Sequence, residues 1–328
     1  MTTPTTNWGI IAPGRIAHKF AQDLQHVAGA KLTAVASRDL GRAQAFAAQY
    51  DAPHVYGSYE AILECPDLDV VYIASPHTGH FEQTLMCLNA GVAVLCEKPF
   101  AMNTPEVQEM VELARTKKVF LMEALWSRFM PTILKTRELI ETGAIGKLIG
   151  VKADFGFKAP FDPQVRTFNK ELGGGALLDI GIYPLFLSYV ALGMPTQIAA
   201  LAVFGPTGID ESTAMSLKYA DGTFAFLDCT FMTKTPCEGF VFGEKGFIKI
   251  NTRWHESKSL TLELYDGTTQ RFDFDRPTHG YDYEAAHVAE CLQKGLTESP
   301  VWTFDDSLNL MRLLDGVRAE IGLVYGQE

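Results

Sequence analysis

The chain has 328 residues, 47% of them hydrophobic and 20% charged, and a formal net charge of −11. That length suits about two domains, with apolar material enough for two cores. A uniformly acidic chain is a poor partner for nucleic acid or an anionic membrane, both of which need clustered Lys and Arg.

From the N-terminus, Met1–Asn7 is Thr-rich and lacks both a basic stretch and an apolar core, so no leader is expected there. Short β-rich runs follow at Trp8–Ile11, Leu32–Ala36, Val70–Ala74, Val92–Cys96 and Val119–Met122. Between them lie helical stretches at Arg15–Gln25, Leu40–Gln49, His80–Ala90 and Thr104–Thr116. Strands of four or five apolar residues suit a sheet buried on both faces, and their alternation with helices predicts a doubly wound, Rossmann-type parallel sheet over residues 1–125. The remainder, 126–328, reads as an α+β domain for substrate and oligomer contacts. It opens with a helix at Pro131–Glu141 and continues with candidate strands at Leu148–Phe155, Ile198–Phe204, Ala214–Tyr219, Thr223–Cys229, Glu238–Phe242, Gly246–Ile250, Leu260–Tyr265 and Thr269–Phe272. Turn signals at 220–222, 244–246 and 266–267 join strands without long helices, which predicts a large, open and mostly antiparallel sheet. Helices at Tyr283–Gln293 and Asp305–Val324 close the chain, and the final one is expected to pack back on the first domain.

No uninterrupted run of 18 apolar residues occurs, so no membrane span is expected, and a cytoplasmic location follows by elimination. The six cysteines form no C-x-x-C pair and no Cys/His set with zinc spacing, so no metal site is expected. They read as small buried hydrophobes of a reducing compartment.

The turn between the first strand and helix runs Ala12-Pro13-Gly14-Arg15-Ile16-Ala17. Such a turn brings backbone close to a pyrophosphate at a helix N-terminus. It departs from G-x-G-x-x-G, because Ala12 and Ala17 hold the first and third glycine positions. Pro13 biases Ala12 toward extended backbone and offers no N–H. A plain β-turn-α connection remains the alternative. The second strand ends in Ser37-Arg38, with Arg42 four residues on. A hydroxyl and two guanidiniums suit the 2′-phosphate of NADP(H), where NAD(H)-selective folds place an acid. Asp39 keeps NAD(H) open, and surface pairing of Arg38 and Arg42 with Asp39 or Glu60 is the bland alternative.

The strand ending in Cys96-Glu97-Lys98-Pro99 resembles the signature of the glucose–fructose oxidoreductase / inositol dehydrogenase family. Ser75-Pro76-His77, Glu123-Ala124-Leu125-Trp126-Ser127-Arg128-Phe129 and Gly173-Gly174-Gly175-Ala176-Leu177-Leu178-Asp179-Ile180-Gly181-Ile182-Tyr183-Pro184 agree in the same order. The Glu-Ala-Leu-Trp-x-Arg-Phe run, Tyr283–Val288 and Glu320–Tyr325 are similar to the branch containing dimeric dihydrodiol dehydrogenase and NADP-linked D-xylose 1-dehydrogenase. The resemblance implies hydride transfer between NADP(H) and a hydroxyl or carbonyl carbon of a sugar, polyol or trans-dihydrodiol. It implies catalytic roles for Lys98, Tyr183 and Asp179, with Ala12, Pro13, Gly14, Arg15, Ile16, Ser37, Arg38, Arg42, Ser75, Pro76, His77, Glu97 and Lys98 on the cofactor. Trp126, Arg128, Phe129 and Phe157 fall to the substrate side, where aromatic rings suit the apolar faces of sugars and arenes. Trp126 and Phe129 read equally as domain core, and His77 as structural. Glu123 reads as a buried partner for an arginine.

Tyr and Lys side chains both titrate near pH 10 when free, whereas a general base works best near 7. Moving a phenol down about three units requires roughly 4 kcal/mol of preferential phenolate stabilisation. An ammonium such as Lys98 and the oxidised cofactor's charge would contribute. Asp179, four residues before Tyr183, would share its helical face and orient Lys98 or a substrate hydroxyl. Sequence does not apportion the proton between Lys98 and Tyr183. Two alternatives stay open: a ketone or anhydro-sugar reductase, and an NADP-sensing binding protein without turnover. Outward aromatics at Phe224, Phe226, Phe240 and Phe242 would leave the sheet an open apolar face, which predicts a homodimer or higher homo-oligomer.

Overall fold

The computed structural model describes residues 4–326. In chain order the elements are β1 (Thr6–Ile11), α1 (Arg15–Leu24), β2 (Ala30–Ala36), α2 (Leu40–Gln49), β3 (His54–Tyr56), β4 (Val70–Ile73), α3 (His80–Asn89), β5 (Ala93–Glu97), α4 (Thr104–Lys117), β6 (Leu121–Ala124) and α5 (Pro131–Glu141). They continue with β7 (Leu148–Gly156), α6 (Ile182–Leu192), β8 (Gln197–Phe204), β9 (Asp210–Lys218), β10 (Phe224–Thr230), β11 (Gly239–Gly243), β12 (Gly246–Ile250), β13 (Ser259–Leu264), β14 (Thr269–Asp273), α7 (Tyr281–Gln293) and α8 (Phe304–Ile321).

Two compact units result. The first takes the chain up to Trp126 together with Pro277–Leu308; the second takes Ser127–Arg276 and the chain from Asn309 on. A single boundary at residue 126 therefore misplaces Pro277–Leu308. The physical reason is a buried carboxylate on α1. Asp23 accepts the backbone N–H groups of His279 (3.0 Å), Gly280 and Tyr281 (both 2.8 Å), which pins the start of α7 against α1. The Leu121 N–H donates to the Thr297 carbonyl (3.1 Å), tying this segment to the sheet's edge as well.

The first unit's sheet is fully parallel, in the order β3-β2-β1-β4-β5-β6. Its central strands are buried throughout, as their unbroken apolar runs require. Phe20 of α1 stacks on Tyr72 of β4 at 3.8 Å and tilts against Trp8 at 5.3 Å, so the helix lies on the strands that frame the loop after β1.

The second unit's sheet has eight strands in the order β14-β13-β12-β11-β7-β10-β9-β8. Every pairing is antiparallel except β7 with β10. One face buries α6. The segment Lys170–Leu192 is long and apolar enough by composition to cross a membrane, but 72% of its apolar window is buried inside the protein, as befits a core helix.

Candidate active site

In the first unit the strand order reverses between β1 and β4, and ligands of doubly wound sheets bind at the carboxyl ends of the strands beside such a switch point. Ala12 leaves the end of β1 with φ +63°, in the left-handed region rather than the extended geometry expected before a proline. The turn overrides that bias: the Ala12 N–H donates to Ala36 O (3.0 Å) on the neighbouring strand, and the Gly14 N–H donates back to Ala12 O (2.7 Å). Alanine thus occupies a conformation that costs an L-residue roughly 1–2 kcal/mol. Gly14 caps α1 without any side-chain hydrogen bond to the helix, so the first-turn N–H groups face outward beside exposed Gly14 and Arg15. Pro13 is buried and Ile16 half-buried in the same turn.

At the end of β2, Ser37 is buried and Arg38 and Arg42 are exposed. Asp39 is already committed. Its carboxylate accepts the Arg42 N–H (3.1 Å) as the N-cap of α2, and its own N–H donates to Ser37 Oγ (3.2 Å). Arg38 lies 5.8 Å from the Tyr59 ring centroid. Among the described residues neither arginine ion-pairs with Asp39 or Glu60.

Ser75 and His77 are buried in the loop after β4, with Pro76 between them. His80, fully buried at the start of α3, has Nδ1 2.8 Å from Pro99 O and Nε2 3.0 Å from Ser75 O. Both partners accept, so only the doubly protonated ring satisfies both at once. His80 thereby ties the loop after β4 to the loop carrying Lys98, a role the sequence did not reveal. The Lys98–Pro99 bond is cis. Glu97 is buried. The Tyr72 hydroxyl donates to one of its carboxylate oxygens, and the Lys98 N–H donates to the other (3.1 Å). The Glu97 side chain is thus spent on the strand end from which Lys98 projects. Nearby Glu284 is fully buried, and neither of its oxygens has a hydrogen-bond partner among the described residues; burial first, then the Glu97 charge, hold its carboxyl well above the usual range.

Among the described residues Glu123 does not pair with an arginine. It accepts the Phe100 N–H (3.1 Å) and the Trp302 indole N–H (3.0 Å), and burial pushes its carboxyl up to about 7. Trp126, the last residue of this unit's first segment, stacks on Tyr281 at 4.6 Å and is 4% exposed, so its ring is built into the unit's core.

In the second unit Asp179 and Tyr183 do not share a regular α-helix. Residues Leu177–Gly181 form a π-helical turn, and α6 begins at Ile182. The wider turn changes the angle between the two side chains from the one that α-helical spacing gives. Asp179 pairs with Arg166 at 2.9 Å, a partner on an irregular segment that no sequence pattern announced. The Tyr183 ring is buried, 5.5 Å from Phe155 and 5.2 Å from His255, and those two stack on each other at 4.1 Å. His255 and Phe155 are therefore neighbours of the site that the sequence reading missed. Phe157 is 37% exposed, with Phe231 at 5.3 Å behind it. Phe129 is buried. Arg128 is 4% exposed, and its buried Nη1 has no hydrogen-bond partner among the described residues. A buried guanidinium N–H left this way costs free energy unless an acceptor reaches it. No group of three or more His, Cys, Asp or Glu with metal-binding geometry occurs among the described residues.

Comparison with known proteins agrees with this architecture. Residues 6–125 match the profile described as "Oxidoreductase family, NAD-binding Rossmann fold". Residues 133–249 match "GFO/IDH/MocA C-terminal domain". Trans-1,2-dihydrobenzene-1,2-diol dehydrogenase of Mus musculus is 38% identical over 335 residues, covering 98% of each chain. The 3-ketoreductase KijD10 of Actinomadura kijaniata, solved with NADP and TDP-benzene, superposes with a TM-score of 0.86 at 25% identity, over 97% of this chain and 98% of that one. Aldose-aldose oxidoreductase of Caulobacter crescentus, complexed with glycerol, gives 0.87 at 25% identity over 96% and 97%.

Proposed function

The chain belongs to the GFO/IDH/MocA oxidoreductase family, and from that premise we propose that it is an NADP-dependent dehydrogenase of cyclic vicinal diols, either trans-dihydrodiols of arenes or aldoses. What carries the proposal is the mixed character of the surroundings of Tyr183. Phe155 and His255 give the phenol an apolar wall, and the Asp179–Arg166 pair sits on the turn just before it. A ring that is apolar on its faces and bears hydroxyls at its edge suits both. The likeness to the mouse dihydrodiol dehydrogenase over almost the whole chain supports the same substrate class.

The dinucleotide fits the residues present. The uncapped N-terminus of α1 at Gly14 and Arg15 would take the pyrophosphate. Ser37, Arg38 and Arg42 would hold the 2′-phosphate, with Ser75, Pro76 and His77 toward the nicotinamide end. When bound, the nicotinamide supplies the two-electron acceptor for the carbon being oxidised. Tyr183 would receive the substrate hydroxyl's proton, and Lys98 is the candidate amine that the first unit contributes to the chemistry. Asp179 would accept a hydrogen bond from the substrate, its own charge offset by Arg166. Glu97 and His80 would hold the Lys98 loop, and Arg128 would donate its unpaired N–H to a ligand oxygen.

We also propose that the protein works as a homodimer through the open face of its eight-stranded sheet. Pairing register puts Leu201, Phe226, Lys152 and Phe240 on one face. Leu201 is 81% exposed and Phe226 58% exposed, whereas Phe240 and Phe242 stack on each other, tilt against Phe247 and are half-buried. Covering such a patch would remove apolar surface from water at about 25 cal/mol per Å². A monomeric mass by light scattering would refute the dimer.

The function is tested by mixing the protein with NADP+ and following nicotinamide reduction across trans-1,2-dihydrobenzene-1,2-diol, D-xylose, hexoses and inositols. Turnover of a ring diol or aldose is expected. Tight NADPH binding with no turnover of any of these would leave a nucleotide sensor instead.

A further inference from the structure

The turn that carries Asp179 and Tyr183 is held by two residues distant in the chain. Asp210, the first residue of β9, is fully buried. Its Oδ2 accepts the Leu177 N–H (2.7 Å) at the very start of the π-helical turn, and the Thr213 hydroxyl (2.8 Å). Its Oδ1 has no hydrogen-bond partner among the described residues and faces Gly175, where an added Cβ would lie 2.4 Å from it. Beside it Tyr325, buried near the end of the chain, donates its hydroxyl to Gly174 O (2.6 Å). The same hydroxyl would stand 2.8 Å from a Cβ on Gly175. The Arg318 guanidinium lies 5.0 Å from the Tyr325 ring centroid and is tied to Asp315 at 3.2 Å.

The glycine run also lies against the segment that supplies Arg166. The Gly174 N–H donates to Asn169 O (2.9 Å) and the Gly175 N–H to Thr167 O (3.1 Å). A Cβ on Gly174 would sit 2.4 Å from Arg166 O, and Gly175 takes φ +132°, so neither position accepts a side chain. A π-helical turn is an intrinsically uncommon conformation, and the first N–H groups of a helix have no partner within it. Leu177 obtains its partner from Asp210, a carboxylate at the positive end of the helix dipole.

We infer that Asp210 and Tyr325 are positioning residues, a clasp converging on Gly175 that sets the π-helical turn and with it the placement of Asp179 and Tyr183 for proton transfer. The inference rests on the roles proposed above for Asp179 and Tyr183. It also gives a use to the C-terminal segment ending in Tyr325, which the cofactor and substrate residues leave unexplained.

The test compares steady-state kinetics of wild type, Tyr325→Phe, Asp210→Asn, Asp210→Ala and Tyr183→Phe, using NADP+ and trans-1,2-dihydrobenzene-1,2-diol. Loosening the clasp misplaces a reacting group without touching the nucleotide residues. Tyr325→Phe and Asp210→Ala should therefore lose about tenfold in kcat, with the KM for NADP+ within about twofold of wild type. Asp210→Asn, which keeps an acceptor for the Leu177 N–H, should restore kcat to within about threefold. A folded Tyr325→Phe protein with wild-type kcat, beside an inactive Tyr183→Phe protein, overturns the clasp alone. Equal losses in kcat and in affinity for NADP+ overturn it as well, because that is the signature of general destabilisation. An active Tyr183→Phe protein, or a wild type inert toward the diol, removes the underlying site assignment and the clasp with it. Should Asp210→Ala fail to fold, Tyr325→Phe decides the matter by itself, since it deletes one hydroxyl.

Discussion

On the proposed cofactor assignment, replacing Arg38 by alanine should leave the protein nearly indifferent to the 2′-phosphate. Arg38 and Arg42 are exposed at the carboxyl end of β2, and Asp39 between them in sequence is held as the cap of α2. A charge-assisted hydrogen bond from guanidinium to phosphate contributes about 1.5–3 kcal/mol, which is roughly 10- to 150-fold in affinity. NAD+ has no phosphate at that position and should lose less than about threefold. Fluorescence titration with NADPH and NADH gives both dissociation constants directly. The contrasting variant is Asp39→Ala. Losing a helix cap should lower stability by about 1 kcal/mol and leave NADH binding unchanged. Equal losses for NADPH and NADH in Arg38→Ala would refute the reasoning, as would a selective loss of NADH in Asp39→Ala. The second result would make Asp39 a ribose ligand.

Ala12→Gly should fold with unchanged or slightly raised stability, because relief of the left-handed strain offsets the extra chain entropy, each about 1 kcal/mol; a β-branched Ala12→Val should instead lower the melting temperature. The buried carboxyls make stability fall with rising pH. Glu123 and Asp210 are each raised to about 7 by burial, from 4.5 and 3.8. Folded protein then holds protons that unfolded chain has released, so their contribution is complete below the unfolded values and is lost as pH climbs toward 7. Denaturant titrations should show lower stability at pH 8 than at pH 5, and Glu123→Gln should flatten that slope by up to about 3 kcal/mol over the interval. A slope unchanged in Glu123→Gln would show that the carboxyl titrates normally. Leu201→Lys with Phe226→Lys should give a monomer in light scattering at working concentration; an unchanged oligomer would place the interface elsewhere.

Much of the fold was legible because burial is written into composition. β4 is an unbroken apolar run, and β1 and β5 carry one over Trp8–Ile11 and Ala93–Cys96, which suits a sheet covered on both faces. The short β3 was missed because its three residues are all half-buried and form no such run. Local rules failed where tertiary contacts override them. Pro13 argued for an extended Ala12, but the turn's hydrogen bonds to β2 impose positive φ. Spacing arithmetic put Asp179 and Tyr183 on one α-helical face, yet a π-helical turn intervenes. The Asp23 contacts that attach α7 to the first unit join residues more than 250 positions apart, beyond the reach of any periodic pattern. Lys98, Asp179 and Tyr183 were visible through the motifs around them. Their supports, His80, Arg166 and His255, were not, since each acts through contacts with other segments of the chain that no local pattern announces.

The most direct measurement is the kcat of Tyr183→Phe for NADP+ reduction by trans-1,2-dihydrobenzene-1,2-diol, with NADPH affinity determined on the same preparation. Loss of the proton acceptor should cut kcat by about 10²- to 10⁴-fold while NADPH binds as in wild type. A kcat within a few fold of wild type would contradict the assignment of the phenol to proton transfer.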